Sequence, residues 1–157
     1  MIGRSIGPVQ TFRQTLTDTL LKSTSTAHRK ILALTGGKLG SQLMGMPAVM
    51  LETTGRKSGV RRQTMLTAPV VDGDRIVLVA SKGGDDRDPE WYRNLLAHPD
   101  VNVTVHGRTR SMRARVASAE EKAELWPRIV AKYRGYAGYQ RRTAREIPVV
   151  ICEPNGS

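Results

Sequence analysis

Residues 49 to 66 restrict the fold more than any other stretch of the chain. An apolar run from Val49 leads into Thr53-Thr54-Gly55-Arg56-Lys57-Ser58-Gly59, and Arg61-Arg62 then leads back into Gln63-Thr64-Met65-Leu66. Two β-prone runs around a glycine-bounded bend read as a hairpin, so the sheet is antiparallel at this point. Arg56, Lys57, Arg61 and Arg62 gather at the bend with several backbone N–H groups. Guanidinium forks and amides both donate to phosphate or carboxylate oxygens, so the bend suits a polyanionic small molecule. Taken alone, the ordinary reading is a solvated basic turn.

The rest of the chain supplies more hairpin-sized pieces. Asp72-Gly73 is a turn signal, and Arg75 to Ala80 is a continuous apolar strand that exits into Ser81-Lys82-Gly83-Gly84. Asp88-Pro89 reads as a helix start, with Asp88 as the N-cap, and the helix carries Trp91, Leu95 and Leu96 before stopping at His98-Pro99. Val101, Val103 and Val105 alternate with polar residues. Gly107-Arg108 turns that strand into another, on which Met112, Ala114 and Val116 share one face. Ser118 to Glu121 is a capping-box pattern, and Pro127 is expected to break or restart the helix that follows. A final strand spans Pro148 to Glu153. Strands joined mostly by hairpins, with helices between some pairs, predict an α+β fold: a mainly antiparallel sheet closing into a small barrel with helices packed outside.

Residues 1–45 differ in composition and are read as an N-terminal helical or flexible extension, with residues 46–157 as the barrel domain. Phe12, Leu16 and Leu20 follow a helical spacing, and Ile31, Leu32 and Leu34 precede Gly36-Gly37. At 157 residues the chain suits one domain, and no apolar stretch is long enough to span a bilayer. No secretory leader is expected, since an apolar core before a small-residue cleavage site is lacking. The single cysteine, Cys152, rules out an internal disulfide and fits a cytoplasmic setting.

A formal net charge of +11 implies an anionic partner: nucleic acid, an acidic membrane surface or a charged ligand. Aromatic residues make up only 4%, too few for base-stacking platforms of the single-strand binders. No metal site is expected, because His28, His98 and His106 lie on different elements without ligand spacing. Gly55 to Gly59 is not a P-loop, because its spacing fails and a strand follows where a helix should. So few catalytic side chains suggest a protein that binds a molecule bringing its own chemistry. Three places could serve such a ligand. Ser81-Lys82-Gly83-Gly84 offers a hydroxyl, a cation and a permissive backbone. Asn94 can both donate and accept near the start of a helix. Tyr133, Tyr136 and Tyr139, spaced by three among polar residues and glycines, could form a lid with hydroxyls at a pocket mouth.

Taken together these pieces resemble the deazaflavin-dependent nitroreductase family of actinobacteria, which uses coenzyme F420. The similarity covers roughly residues 48 to 154. It rests on Thr53 to Gly59, Ala80 to Gly84, Pro89-Glu90-Trp91-Tyr92-Arg93-Asn94-Leu95, Trp126-Pro127, the three tyrosines, and Ile147-Pro148-Val149-Val150 through Glu153-Pro154.

The resemblance implies a split β-barrel like that of flavin-binding oxidases. It implies that Arg56, Lys57, Ser58 and Arg62 hold the cofactor's phosphodiester and glutamate tail, with Gln63, Thr64, Met65, Leu66 and Thr67 lining its groove. Val79, Ala80, Ser81 and Lys82 would meet the deazaflavin ring, and Glu90, Trp91, Tyr92, Arg93, Asn94 and Tyr136 would complete the site. The implied reaction is hydride transfer from reduced F420 to a quinone, enone or nitroaromatic. Ser81 would orient the ring or substrate, and Tyr133 or Tyr136 would hydrogen-bond or protonate the acceptor. Thr67 stands where the best-known nitroreductase of the family has a substrate-pocket tyrosine, which argues against bulky nitroimidazoles.

The expected partner is thus a small-molecule acceptor, with no nucleic acid, in a monomer or homodimer. Peripheral membrane contact through the N-terminal segment stays open. The residues also admit two alternatives: a non-catalytic basic binder of nucleic acid or anionic lipid, and a split-barrel protein that uses FMN.

Overall fold

A computed structural model describes residues 42–155. The helical spacing read in residues 12–34 lies outside the described residues. Eight strands occupy the described region: β1 (Gln42–Leu43), β2 (Met46–Thr54), β3 (Arg61–Thr67), β4 (Val70–Asp72), β5 (Arg75–Val79), β6 (Asp100–Val105), β7 (Arg108–Val116) and β8 (Val149–Pro154). Three α-helices join them: α1 (Glu90–Ala97), α2 (Ala119–Lys132) and α3 (Gly135–Arg142). Neighbouring strands run in the order β1-β2-β6-β7-β8-β5-β4, with β3 on β2, and every pairing is antiparallel. β4 ends this path and β3 branches from β2 near its other end; the two are joined only by Ala68-Pro69, with no ladder between them among the described residues. The sheet therefore curls into a barrel that stays split at this seam.

The hairpin read from the sequence is β2–β3, in register from Thr54 opposite Arg61 to Ala48 opposite Thr67. The apolar run of β5 is continuous because the strand is covered on both faces. Ile76 and Leu78 join one core with Val49, Leu51, Val101, Val103, Met112, Val150 and Cys152, together with Trp91, Tyr92 and Leu95 of α1. Val77 and Val79 join a second core with Val149 and Ile151 of β8 and with Leu125, Ile129 and Tyr136 of α2 and α3. β6 and β7 have only one buried face, hence their alternating pattern. Val116 continues the Met112 and Ala114 face in sequence, but it lies at the strand end and is exposed.

Several local expectations change. Asp88 is not the N-cap of α1. Pro89 takes that position without a side-chain cap, and the Asp88 carboxylate instead accepts from Arg145 Nη1 at 3.1 Å. Leu96 of that helix is exposed, whereas Leu95 is buried. The turn between β6 and β7 is His106-Gly107, both with positive φ, one residue earlier than expected. α2 starts at the expected capping box, Ser118 with Glu121, and runs straight through Pro127. Pro127 and Ala123 are both exposed, so water can take the carbonyl bond that proline leaves unmade, while Leu125 and Ile129 hold the helix to the sheet from its other face.

Charged groups tie α2 to the middle of the sheet and to its β4 end. Arg115 of β7 bridges Glu121 at 2.7 Å and Glu153 at 2.8 Å, and Arg128 bridges Asp72 at 2.7 Å. The Arg115 guanidinium and the Ser118 backbone N–H hold the Glu121 carboxyl down at about 2, and Arg128 and then Arg75 hold Asp72 at about 2. Both carboxyls are depressed in the folded state. Their contribution is therefore complete above their ordinary values of 4.5 and 3.8 and is lost as pH falls toward about 2. Tm is expected to fall over that window. Glu121→Gln should flatten the fall, and a Tm profile below pH 4.5 identical to wild type would refute the contribution of this pair.

Candidate functional site

The β2–β3 turn is built to hold its shape. Gly55 N–H donates to Val60 C=O at 2.8 Å, Gly59 N–H donates to Gly55 C=O at 2.8 Å, and Ser58 Oγ accepts from Val60 N–H at 3.2 Å. α1 fixes the whole turn through one side chain. Asn94, 6% exposed, accepts from Arg56 N–H at 3.1 Å and from Arg56 Nη1 at 3.0 Å. Its Nδ2 lies 3.5 Å from Thr53 Oγ1 on β2. Arg56 Nη1 also reaches Glu90 Oε2 at 2.7 Å, and this guanidinium holds the Glu90 carboxyl below its usual range. Lys57 and Arg62 make no ion pair among the described residues. Together these groups line a cavity of about 470 Å³, with Gln63, Thr64 and Trp91 completing its wall.

A second cavity of about 550 Å³ adjoins the first, sharing Thr64, Glu90 and Trp91 with it. Its walls are Met65, Leu66 and Thr67 of β3, Val79 at the end of β5, Ser81, Lys82 and Gly83 of the loop that follows, and Tyr133, Tyr136 and Tyr139. The two cavities form one trough beside the free edge of β3, cationic at one end and largely apolar at the other.

The apolar end is assembled from two segments that hold each other. Lys82, Gly83 and Gly84 all take left-handed backbone conformations, φ 46°, 64° and 87°. A Cβ on Gly84 would lie 2.8 Å from Tyr139 C=O and 3.0 Å from Arg142 Cβ, so this glycine is what lets α3 dock on the loop. Arg142 Nη1 donates to Gly83 C=O at 3.3 Å, and Thr143 Oγ1 donates to Asp86 Oδ1 at 2.8 Å. Arg145 binds the same loop most extensively, donating to the carbonyls of Ala80, Ser81 and Asp85 at 3.2, 3.0 and 2.8 Å.

The three tyrosines do not share one helix face. Tyr133 ends α2 in an extended conformation and folds back over Gly135, where any Cβ would overlap its ring. The rings meet edge to face or tilted, with centroids 5.5–6.3 Å apart. Burial pushes the Tyr136 phenol above its ordinary value, and the hydrogen bond that Tyr139 donates to Tyr133 does so for Tyr139.

Of the residues expected at the site, Arg56, Lys57, Ser58, Arg62, Gln63, Thr64, Met65, Leu66, Thr67, Val79, Ser81, Lys82, Glu90, Trp91, Asn94, Tyr133 and Tyr136 line the trough. Ala80, Tyr92 and Arg93 do not. Ala80 and Tyr92 face the core, and Arg93 projects outward with Nη1 4.0 Å from Glu90. The helical period explains the division, because Glu90, Trp91 and Asn94 share the trough face of α1 whereas Tyr92 and Leu95 share its core face. Met44, Met46, Thr53 and Pro89 also line the trough without having been expected there, and Tyr139, read as part of a tyrosine lid, lines it too. A period-two reading of β2, which sets Met46 on one face with Ala48 and Met50, would have found that residue. Arg145 sits in a polar stretch with no period and left no signal.

Residues 24–154 match the family described as F420H(2)-dependent quinone reductase. The chain belongs to this family. A curated F420H(2)-dependent quinone reductase of Mycobacterium tuberculosis is 41% identical over 129 residues, covering 79% of this chain and 85% of the relative. A solved F420-H2 dependent reductase (FDR-A) superposes with a TM-score of 0.63 at 41% identity, over 68% of this chain and 94% of that one. Another solved structure, described as a domain-swapped dimer, gives 0.66 at 37% identity over 87% and 98%. Within the F420H(2)-dependent quinone reductase family the split-barrel fold is shared, and the matched region contains the entire trough described here.

Asn94 was read from the sequence as a ligand contact; it lines the trough, and in the folded chain its amide oxygen also holds the turn. Asn94→Ala should therefore destabilise the cofactor-free protein by about 1–3 kcal/mol, the cost of leaving partly buried donors unpaired. Urea unfolding measures this, and unchanged stability would return Asn94 to a purely ligand-binding role.

Proposed function

We propose that the protein is an F420H2-dependent reductase of quinones and that the trough is where cofactor and acceptor meet. The observation that carries this reading is the two-ended trough: a fixed turn with Lys57 and Arg62, neither in an ion pair among the described residues, at one end, and an apolar chamber with tyrosines at the other. That division suits a molecule with a flat ring and a polyanionic tail. A second feature fits as well. Ser81 is 8% exposed, lines the apolar end, and its hydroxyl makes no hydrogen bond among the described residues. A hydroxyl on the cavity wall with no protein partner there is free to bond a ligand that enters.

In this reading Arg56, Lys57, Ser58 and Arg62 hold the tail, and Met65, Leu66, Thr67, Val79, Ser81, Lys82 and Trp91 bracket the ring. The reduced cofactor, when bound, supplies a hydride. The protein's own contribution is to position the acceptor against it, exclude water and place a proton. Burial keeps the Tyr136 phenol protonated near neutral pH, so it can give a proton to a quinone oxygen as charge develops there. Residues 46–157 form the proposed cofactor domain, working in the cytoplasm. A homodimer is the proposed assembly, in keeping with the domain-swapped dimer among its relatives.

Titration with reduced F420 followed by menadione tests the proposal by the reappearance of oxidised-deazaflavin absorbance. Binding at micromolar cofactor and reoxidation on adding the quinone are expected. Absence of binding, or binding of FMN in its place, would overturn the reading. Lys57→Ala should weaken cofactor binding by about 1–3 kcal/mol, the range for a charged hydrogen bond, and an unchanged Kd would make the turn a plain basic surface.

A further inference from the structure

Tyr136 is 5% exposed, and among the described residues its hydroxyl has two hydrogen-bond neighbours. Thr67 Oγ1 lies 2.9 Å away and Met46 Sδ 3.8 Å away. A phenol has one proton to give, whereas the thioether has none, so in the Met46 contact Tyr136 is the donor. The Thr67 contact can run in either sense. If Tyr136 donates to Thr67, its proton is held by a good neutral acceptor. If Thr67 donates, the proton is left to the thioether, a weak acceptor from which a developing oxyanion can take it readily.

We propose that Thr67 is a positioning residue for Tyr136, donating its hydroxyl proton to the phenol oxygen so that the phenolic proton stays free for the acceptor in the apolar end of the trough. This rests on reading that trough as the site of quinone reduction. Thr67 occupies the end of β3 opposite Ala48, and Tyr136 is wedged among Tyr133, Tyr139 and the second core. Neither partner therefore has to be brought in when charge appears.

The step balances. The two electrons reach the quinone as the hydride of the family's reaction, leaving one oxygen anionic. The Tyr136 O–H bond breaks as a hydroquinone O–H bond forms, and water later returns a proton to the phenolate. Thr67 donates to the same oxygen before and after the transfer, and its hydrogen bond favours the phenolate, opposing the effect of burial. A donor already in place costs no reorganisation at the moment of reaction.

Thr67→Val keeps the shape of the side chain and removes the hydroxyl, while Thr67→Ser restores it. The first readout is the Raman doublet of tyrosine on cofactor-free protein, whose intensity ratio rises when the phenol accepts and falls when it donates. Only four tyrosines are present, and subtracting the Tyr136→Phe spectrum isolates the one concerned. An acceptor-type ratio is expected in wild type and in Thr67→Ser, and its loss in Thr67→Val. A donor-type ratio in wild type would overturn the proposal.

The second readout is turnover. Thr67→Val should lower kcat about tenfold, the rate equivalent of one neutral hydrogen bond, with the acceptor KM little changed and activity recovered in Thr67→Ser. A serine variant as slow as the valine variant would overturn the proposal, because the methyl group rather than the hydroxyl would then matter. If wild type reduces no quinone at all, the functional reading fails, whereas the Raman ratio still decides the sense of the hydrogen bond.

Discussion

The side chains of β5 and β8 alternate between two apolar layers, and the site depends on this two-sided burial. Ile76, Leu78, Val150 and Cys152 pack with α1, while Val77, Val79, Val149 and Ile151 pack under α2 and α3. A fully buried aliphatic side chain is worth about 1.5–3 kcal/mol, so a strand pair covered on both faces is the most firmly held part of the sheet. α1 thus packs into one layer and α3 into the other. β5 leads directly into Ser81, and the trough opens where that strand ends.

The division of the trough into a cationic and an apolar end has a simple origin. β3 pairs only with β2, and its free edge leaves side chains unburied along its length. Near the turn these are Arg62 and Gln63, and further along they become Met65 and Leu66. α1 faces the first part with Glu90 and Asn94, and the tyrosines face the second. Each end also carries its own fastening. Asn94 binds the turn, and Arg142, Thr143 and Arg145 bind the Ser81 loop. Most of these fastening groups lie behind the walls of the trough, and so they shape the site without touching a ligand.

Much of the fold was legible in the chain itself. Glycine-bounded turns, the alternation along β6 and β7 and the continuous run of β5 report local backbone preference and burial, which a sequence carries directly. Pro127 misled because its penalty depends on where the freed carbonyl points, and that is settled by which face of α2 packs. Asp88 misled for a related reason: its carboxylate had a stronger partner, Arg145, fifty-seven residues away.

By itself the sequence determined an α+β fold with an antiparallel barrel and a basic hairpin turn, because turn chemistry and periodicity act over a few residues. Most of the expected trough residues came from the resemblance carried by its motifs. Only the tertiary structure decided what those side chains do. It gave Asn94 the added part of clamp on Arg56, left Ala80, Tyr92 and Arg93 off the walls, and brought Thr67 to the Tyr136 hydroxyl across sixty-nine residues of chain. Hydrogen-bond partnerships between distant elements follow from strand order and helix docking, and no local pattern encodes them.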